Sequence, residues 1–247
     1  MKKLTLTLFA FSLVFTSSLY AQMGRMSGPA YNSAMAKLFG DNPAFSADIE
    51  IQTGSGMTMP GKMTVGSGKS RFEMNISEAK GGQMSPATAE HMKAMGMDKT
   101  ITISRPDTKV VYIIYPGLSA YVSMAVQDPD AGKPDSAFKV DKSELGRETV
   151  DGHPCIKNKV VVTDDKGKSH ESTVWNATDL KDFPVKIVTA EGGNQFTMLF
   201  KNVNTAKPDA AQFEAPSDYK KYDNQQSLMM EEMKKHMGGM TMPSGHP

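Results

Sequence analysis

The chain has 247 residues, with 28 Lys and Arg against 27 Asp and Glu, one cysteine and twenty methionines. This near-neutral charge argues against a dedicated nucleic-acid binder, which normally carries a basic excess. A single cysteine excludes an intramolecular disulfide framework and a cysteine-based zinc site. The length allows one large β domain or two small ones.

The first 21 residues have the layout of a cleaved secretory signal. Met1-Lys2-Lys3 is a short basic start, an uncharged and mostly apolar run reaches Phe15, and small or polar residues end at Ala21. The apolar run is too short to span a membrane, and no later segment comes close to the required length. We therefore expect a signal peptide over residues 1–21, cleavage near Ala21, and a periplasmic or secreted mature chain without a transmembrane segment.

The mature chain begins with one helical pattern and then changes to strand periodicity. Apolar residues at helical spacing predict a first helix that begins near Ser27 and ends at Gly40. From Phe45 to Ile51, apolar and polar residues alternate. This alternation predicts a strand with its apolar side chains on one face.

A hairpin and a short helix follow the first strand. Gly66-Ser67-Gly68 is the predicted hairpin turn, because alternating apolar residues lie on both sides of it. Ser85-Pro86 predicts a helix start, and Gly96 predicts its end.

Short strands joined by tight turns fill the chain as far as residue 203. The predicted strands are 100–104, 109–115, 119–124, 146–150, 155–163, 169–176, 184–190 and 195–203. Roughly ten short strands in total predict a meandering antiparallel sheet. The loop 127–136 is a candidate domain boundary, but strand type and spacing continue across it, so we predict one domain over residues 22–222. Residues 223–247 form a methionine-rich tail, predicted to be helical over about 225–237 and then disordered.

Several short motifs occur in an order that we associate with one bacterial secreted family. They are Arg105-Pro106-Asp107, Tyr115-Pro116, Gly146–Cys155, Val174-Trp175-Asn176-Ala177, Phe183-Pro184-Val185-Lys186 and Phe213–Lys221. The chain resembles a bacterial secreted domain-of-unknown-function family that is similar in outline to the outer-membrane lipoprotein carrier proteins. The resemblance covers residues 45–221.

This resemblance implies a mainly β (α+β) fold. The expected architecture is a curved, incompletely closed antiparallel β-barrel with short helices covering its opening. The carrier branch binds acyl chains in that concavity, whereas the uncharacterised branch has no known chemistry. The resemblance therefore assigns no catalytic residue.

Apolar positions on several strands are candidates for lining such a concavity. They are Phe45, Ile49, Phe72, Met74, Ile101, Ile103, Trp175, Phe196, Met198 and Phe200. An apolar concave face must be filled, either by the chain's own helices or by a ligand. The sequence leaves two alternatives open: the first helix and the Ser85 helix plug the concavity alone, or they share it with an apolar or lipid-like ligand.

The methionines are concentrated in two segments. Residues 57–97 contain eight of them and residues 229–242 contain six, whereas residues 125–228 contain only Met198. Both segments include the pattern His-Met-x-x-Met-x-Met. Thioethers are soft donors that favour Cu(I), and imidazole is an adaptable partner. The candidate metal ligands are His91, Met92, Met95, Met97, His236, Met237, Met240 and Met242. The alternatives are adaptable apolar packing and compositional bias of the tail.

We found no sequence pattern typical of an enzyme. Cys155 lies between His153 and Lys157, which can lower a thiol pKa, but a lone cysteine is more often a small buried residue. The main hypothesis is a non-enzymatic binding protein with an apolar or lipid-like ligand and no resident cofactor. Its alternatives are periplasmic copper or silver binding and an envelope structural or stress protein.

Overall fold

The strands of this chain form one sheet. The computed structural model describes residues 32–82, 85–128, 133–191 and 193–238, all within one compact unit. The strands are β1 Phe45–Thr53, β2 Thr58–Gly66, β3 Lys69–Asn75, β4 Lys99–Arg105, β5 Val110–Tyr115, β6 Ala120–Ala125, β7 Phe138–Val150, β8 His153–Asp164, β9 Ser169–Ala177, β10 Phe183–Glu191, β11 Asn194–Asn204 and β12 Lys220–Tyr222.

The sheet is a meander with two pairings between strands that are distant in the sequence. Its order is β12-β6-β5-β4-β3-β2-β1-β11-β10-β9-β8-β7. Strand β11 returns to pair with β1, and β12 pairs with β6 in parallel; the other pairings are between antiparallel neighbours in the chain. Among the described residues the end strands β7 and β12 do not pair with each other, so the curved sheet stays open. The predicted mainly β, incompletely closed fold is confirmed.

In the described ranges three helices accompany the sheet: α1 Ser33–Ala36, α2 Pro86–Ala94 and α3 Gln225–Gly238. Helix α1 continues into a 3₁₀ turn, Lys37–Phe39. The side chain of Ser85 caps α2, where its hydroxyl accepts a hydrogen bond of 3.1 Å from the Thr88 amide. Gly96 then follows with a φ of +68° and lies against Gly117, an approach that a Cβ on either glycine would block.

Pairing register divides the side chains between two faces of the sheet. One face carries Phe45, Ile49 and Ile51, and we call it the inner face because α1 and α3 pack on it. The alternate positions of the same strand, such as Asp48 and Glu50, point to the other side, the outer face.

An aromatic cluster fills the inner face over β1, β10 and β11. The ring of Phe39, at the end of the turn after α1, stacks on Phe45 with a centroid distance of 4.8 Å. It also meets the edges of Phe200 at 5.5 Å and Phe183 at 5.7 Å. This cluster fixes the segment 33–39 on the inner face, as edge and stacked aromatic contacts add to apolar burial.

Helix α3 covers the other end of the inner face. Its Leu228 is fully buried against Tyr115, Val122 and Tyr222. The Gln225 amide also donates a 3.1 Å hydrogen bond to the Tyr115 hydroxyl. Burial raises the pKa of this tyrosine.

The segment 205–219, which we call the outer strap, crosses the outer face between β11 and β12. Its Phe213 is buried against Ile103 and Ile114. The Arg71 guanidinium donates a 3.2 Å hydrogen bond to the Gln212 carbonyl on the strap. Strands β4 and β5 are therefore covered by the strap on the face opposite to the one on which α1 and α3 pack.

Some predicted bounds differ from the structure. Strand β7 begins at Phe138, eight residues before the predicted start at Gly146. Charged side chains dominate its added part, which is typical of an edge strand. The signal segment and the start of the predicted first helix lie outside the described residues. No helix in the described ranges is long and apolar enough to cross a membrane.

Candidate functional site

A half-buried surface lies on the inner face between the two packed segments. We call it the inner trough, because the sheet forms its floor, the 33–39 segment lies on one side and α3 on the other. Its floor consists of Phe72, Met74, Thr100, Thr102, Ser104, Val111 and Ile113.

Register and burial set the trough apart from the rest of the inner face. Phe72 is opposite Thr102, which is opposite Ile113, so these side chains form one row across β3, β4 and β5. All seven floor residues are half-buried, whereas Ile49 and Ile51 of β1 are fully buried. With strands about 4.8 Å apart, the three-strand floor is about 10 Å wide.

Helix α2 does not fill the trough. None of its residues is buried, in contrast to the expectation that the Ser85 helix plugs the concavity. It lies at one end of β3 and β5, where Gly96 meets Gly117 and the Ile76 amide donates to the Asp98 carbonyl. The short, polar surface of α2 gives it no apolar face to bury.

The ten predicted lining residues do not form one surface. Seven are on the inner face: Phe45, Ile49, Phe72, Met74, Phe196, Met198 and Phe200. Of these, Phe72 and Met74 are on the trough floor, while Phe196 is half-buried at the far end of β11. The remaining three, Ile101, Ile103 and Trp175, are on the outer face.

Trp175 has an outer-face environment of its own. Its ring is nearly buried, with the Lys186 ammonium 4.3 Å and the Lys157 ammonium 5.0 Å from the ring centroid. The indole N–H donates to the Glu148 carboxylate. This hydrogen bond lowers the pKa of Glu148. The surroundings of Trp175 are therefore charged groups of the protein, which satisfy its polar atom and its ring face.

The predicted metal ligands lie in two places, of which only the first is described in full. His91 is exposed, Met92 and Met95 are half-buried, and Met97 is buried. In the tail, helix α3 includes positions 236 and 237, but the side chains of His236 and Met237 lie outside the described set, as do Met240 and Met242. Metal binding by these residues stays a prediction.

A second depression lies on the outer face and has a different lining. It has a volume of about 390 Å³. Its charged lining residues are Asp48, Glu50, Lys62, Glu73, Glu78, Lys99 and Lys201. Ion pairs join some of these groups, with 2.9 Å between Lys201 Nζ and Glu50 and 3.7 Å between Lys62 Nζ and Asp48. Apolar residues, among them Pro60, Met74 and Ile101, line it as well. An apolar ligand there would also desolvate the charged groups, which opposes its binding.

The residues considered for acid, base or thiol chemistry lie at strand ends. His153 Nδ1 is 2.8 Å from Asp179 Oδ2, and this contact lowers the pKa of Asp179. Cys155 is buried, and burial raises the pKa of its thiol, so its position between His153 and Lys157 does not activate it. Within the described ranges, His, Cys, Asp and Glu form no group of three or more that could hold a metal ion.

Sequence reasoning missed most of the trough floor. Thr100, Thr102 and Ser104 were not candidates, because the apolar positions of β4 suggested that Ile101 and Ile103 point inward. Val111 and Ile113 belong to a continuous apolar run, so the sequence does not indicate to which face of the sheet each side chain points. The register of β4 with β3 was the missing information.

The family comparison covers much of this sheet. A family model described as a domain of unknown function, DUF4412, matches residues 52–183, more than half of the chain. The chain belongs to the DUF4412 family. The match includes all seven trough residues and ends at the start of β10. The predicted resemblance to a domain-of-unknown-function family is confirmed. A comparison of this DUF4412 chain with curated proteins gave no match.

Solved structures with a similar outline have low sequence identity to the DUF4412 chain. An uncharacterised conserved protein from Thermus thermophilus is 11% identical, with a TM-score of 0.43 over 77% of this chain and 95% of that chain. The Mycobacterium tuberculosis lipoprotein LppX is 10% identical, with a TM-score of 0.41 over 71% and 96%. A LolA superfamily protein from Nitrosomonas europaea is 8% identical, with a TM-score of 0.38 over 74% and 94%. The family assignment rests on the family model.

Proposed function

We propose that this protein is a periplasmic or secreted, non-enzymatic binding protein that holds one apolar or lipid-like ligand in the inner trough. The observation that carries the proposal is the row of half-buried side chains across β3, β4 and β5, between two segments that are fully packed. Burial of apolar surface favours binding by roughly 25 cal/mol for each Å² removed from water.

The size of the trough supports a single extended chain as the ligand. The floor extends over five residues of β4, from Thr100 to Ser104, which is about 13 Å at the usual rise of a strand. A width of about 10 Å accommodates one acyl chain with its contacts on both sides. The aromatic cluster around Phe39 and the Leu228 contact close the two sides.

The position of the reactive groups supports binding without catalysis. His153 begins β8, Asp179 lies in the turn after β9, and Cys155 is buried with a raised pKa. The trough floor itself has only apolar side chains and hydroxyl groups. The signal-like segment 1–21 supports an extracytoplasmic location, where such a protein would meet envelope or extracellular lipids.

Native mass spectrometry of the mature protein, incubated with stearic acid, tests this function. The variant Met74→Glu places a charge on the trough floor, while Leu145→Glu makes the same kind of change at an exposed edge-strand position. We expect a one-to-one stearic acid adduct in the wild type and in Leu145→Glu, and at least a tenfold weaker adduct in Met74→Glu, since an unpaired carboxylate opposes apolar binding.

Two results would contradict the proposed function. One is an adduct of equal strength in Met74→Glu, which would place the ligand elsewhere. The other is a wild-type protein that shows no stearic acid adduct. If that protein has the mass of a dimer, a second copy of the chain covers the inner face in place of a ligand. Circular dichroism spectra of all three proteins should agree, because Met74 is only half-buried.

A further inference from the structure

The inner face of β4 carries hydroxyl groups, whereas the inner residues paired with it on β3 and β5 are apolar except for Ser70, which is opposite Ser104. Thr100, Thr102 and Ser104 occupy successive inner positions, while Ile101 and Ile103 point outward beneath the outer strap. On each side the facing residues are largely apolar, with Phe72 and Ile113 paired to Thr102. A hydroxyl stripe therefore runs along the middle of the trough.

The three hydroxyl groups have no hydrogen-bond partner within the described part of the chain. None of them makes a hydrogen bond to another described residue, whereas the hydroxyls of Thr163 and Ser169, at the ends of β8 and β9, bond to each other at 2.8 Å. Each can donate one hydrogen bond and accept up to two. Because the stripe is half-buried, a ligand in the trough would remove it from water and leave these groups unpaired unless the ligand itself bonds to them.

We propose that the ligand is an acyl amphiphile with an oxygen group, a hydroxyl or an ester, within reach of the hydroxyl stripe. This inference rests on the proposed function and specifies its substrate class. Successive stripe residues are about 6.7 Å apart, so an oxygen at different depths along the chain finds a partner. A plain hydrocarbon chain in the same place would bury the stripe without compensation and bind less tightly.

Two probes of equal chain length test the inference: stearic acid and 10-hydroxystearic acid, with binding measured by isothermal titration calorimetry. The triple variant Thr100→Val/Thr102→Val/Ser104→Ala removes all three hydroxyls of the stripe, and its two valines keep the volume and the β-branched shape suited to a strand. Thr197→Val is the matched control, because Thr197 is half-buried on the outer face of β11.

The wild type and Thr197→Val should bind the hydroxylated acid about threefold to tenfold more tightly, the range for one net hydrogen bond. In the triple variant this preference should fall to about one, with stearic acid bound at least as tightly as by the wild type. A wild type without preference, or a triple variant that retains it, would overturn the inference while leaving the proposed function in place. A wild type that binds neither acid would overturn the proposed function itself.

Discussion

The turn Arg105-Pro106-Asp107 ties the outer strap to the sheet by charge. Arg105 donates to Asp107 at 2.9 Å and also pairs with Glu214 on the strap. Lys69 Nζ lies 3.4 Å from the same Asp107 carboxylate. These contacts, first the hydrogen bond from Arg105, lower the pKa of Asp107 to about 2. Two of the motifs that suggested the family, Arg105-Pro106-Asp107 and Phe213–Lys221, are thus in contact in the structure.

The substitution Asp107→Asn should lower the melting temperature at neutral pH. It should also make the melting temperature fall less steeply as the pH is lowered. A carboxylate with a lowered folded-state pKa stabilises the fold above its unfolded pKa of about 4, and this contribution disappears as the pH falls towards about 2. Thermal melts between pH 7 and pH 2 should show the wild type approaching the variant. Asp218→Asn, an exposed change on the strap, is the control. Parallel curves for wild type and Asp107→Asn would contradict the assignment.

At the scale of elements, helix α3 depends on one buried side chain. Leu228 is fully buried, while Met230 and Met233 on the same helix are more than half exposed. Glu231 pairs with Lys220 of β12, and the hydrogen bond from Lys220 is the main reason that the pKa of Glu231 falls to about 2. Exposed ion pairs of this kind contribute little, so the apolar contact fixes the helix.

Leu228→Ala should therefore destabilise the protein strongly. The loss of a buried leucine in a packed site costs about 2–5 kcal/mol, whereas Met233→Ala should change the unfolding free energy by less than about 0.5 kcal/mol. Urea denaturation gives both values. If Leu228→Ala were as stable as Met233→Ala, the contact of α3 with the inner face would not contribute to the fold.

The methionine segments make a separate prediction about soft metals. If the His-Met-x-x-Met-x-Met pattern binds Cu(I), a variant that ends at residue 235, and so retains Leu228, should lose part of its Cu(I) stoichiometry, because thioether donors of the tail are removed. Competition with a chromophoric Cu(I) chelator under anaerobic conditions measures this. An unchanged affinity and stoichiometry would remove the tail from the metal hypothesis.

For the whole molecule, strand alternation was sufficient to predict a meandering antiparallel sheet, and the family resemblance implied that the sheet stays open. The apolar residues Phe45, Ile49 and Ile51 of β1 share one face, as predicted. The Gly66-Ser67-Gly68 turn joins β2 and β3. The three-residue strand β12 was missed, because it is too short to show a period and pairs with β6, about a hundred residues earlier.

The candidate site was less predictable than the fold. Ile101 and Ile103 were expected to face inward with Phe72, yet they face the outer strap. Alternation shows which side chains share a face but not which face is the inner one, and the strap that buries the isoleucines comes from residues 205–219. The hydroxyl stripe was thereby hidden in the sequence, although each of its residues is visible there.

The proposed binding site lies between the two packed segments of the inner face, and methionine methyl groups report on it directly. In a protein labelled with ¹³C at methionine methyls, titration with stearic acid should shift the Met74 signal, assigned through Met74→Leu, and leave those of exposed Met230 and Met233 unchanged. An unchanged Met74 signal at stearic acid concentrations that saturate the protein would contradict a ligand in the inner trough.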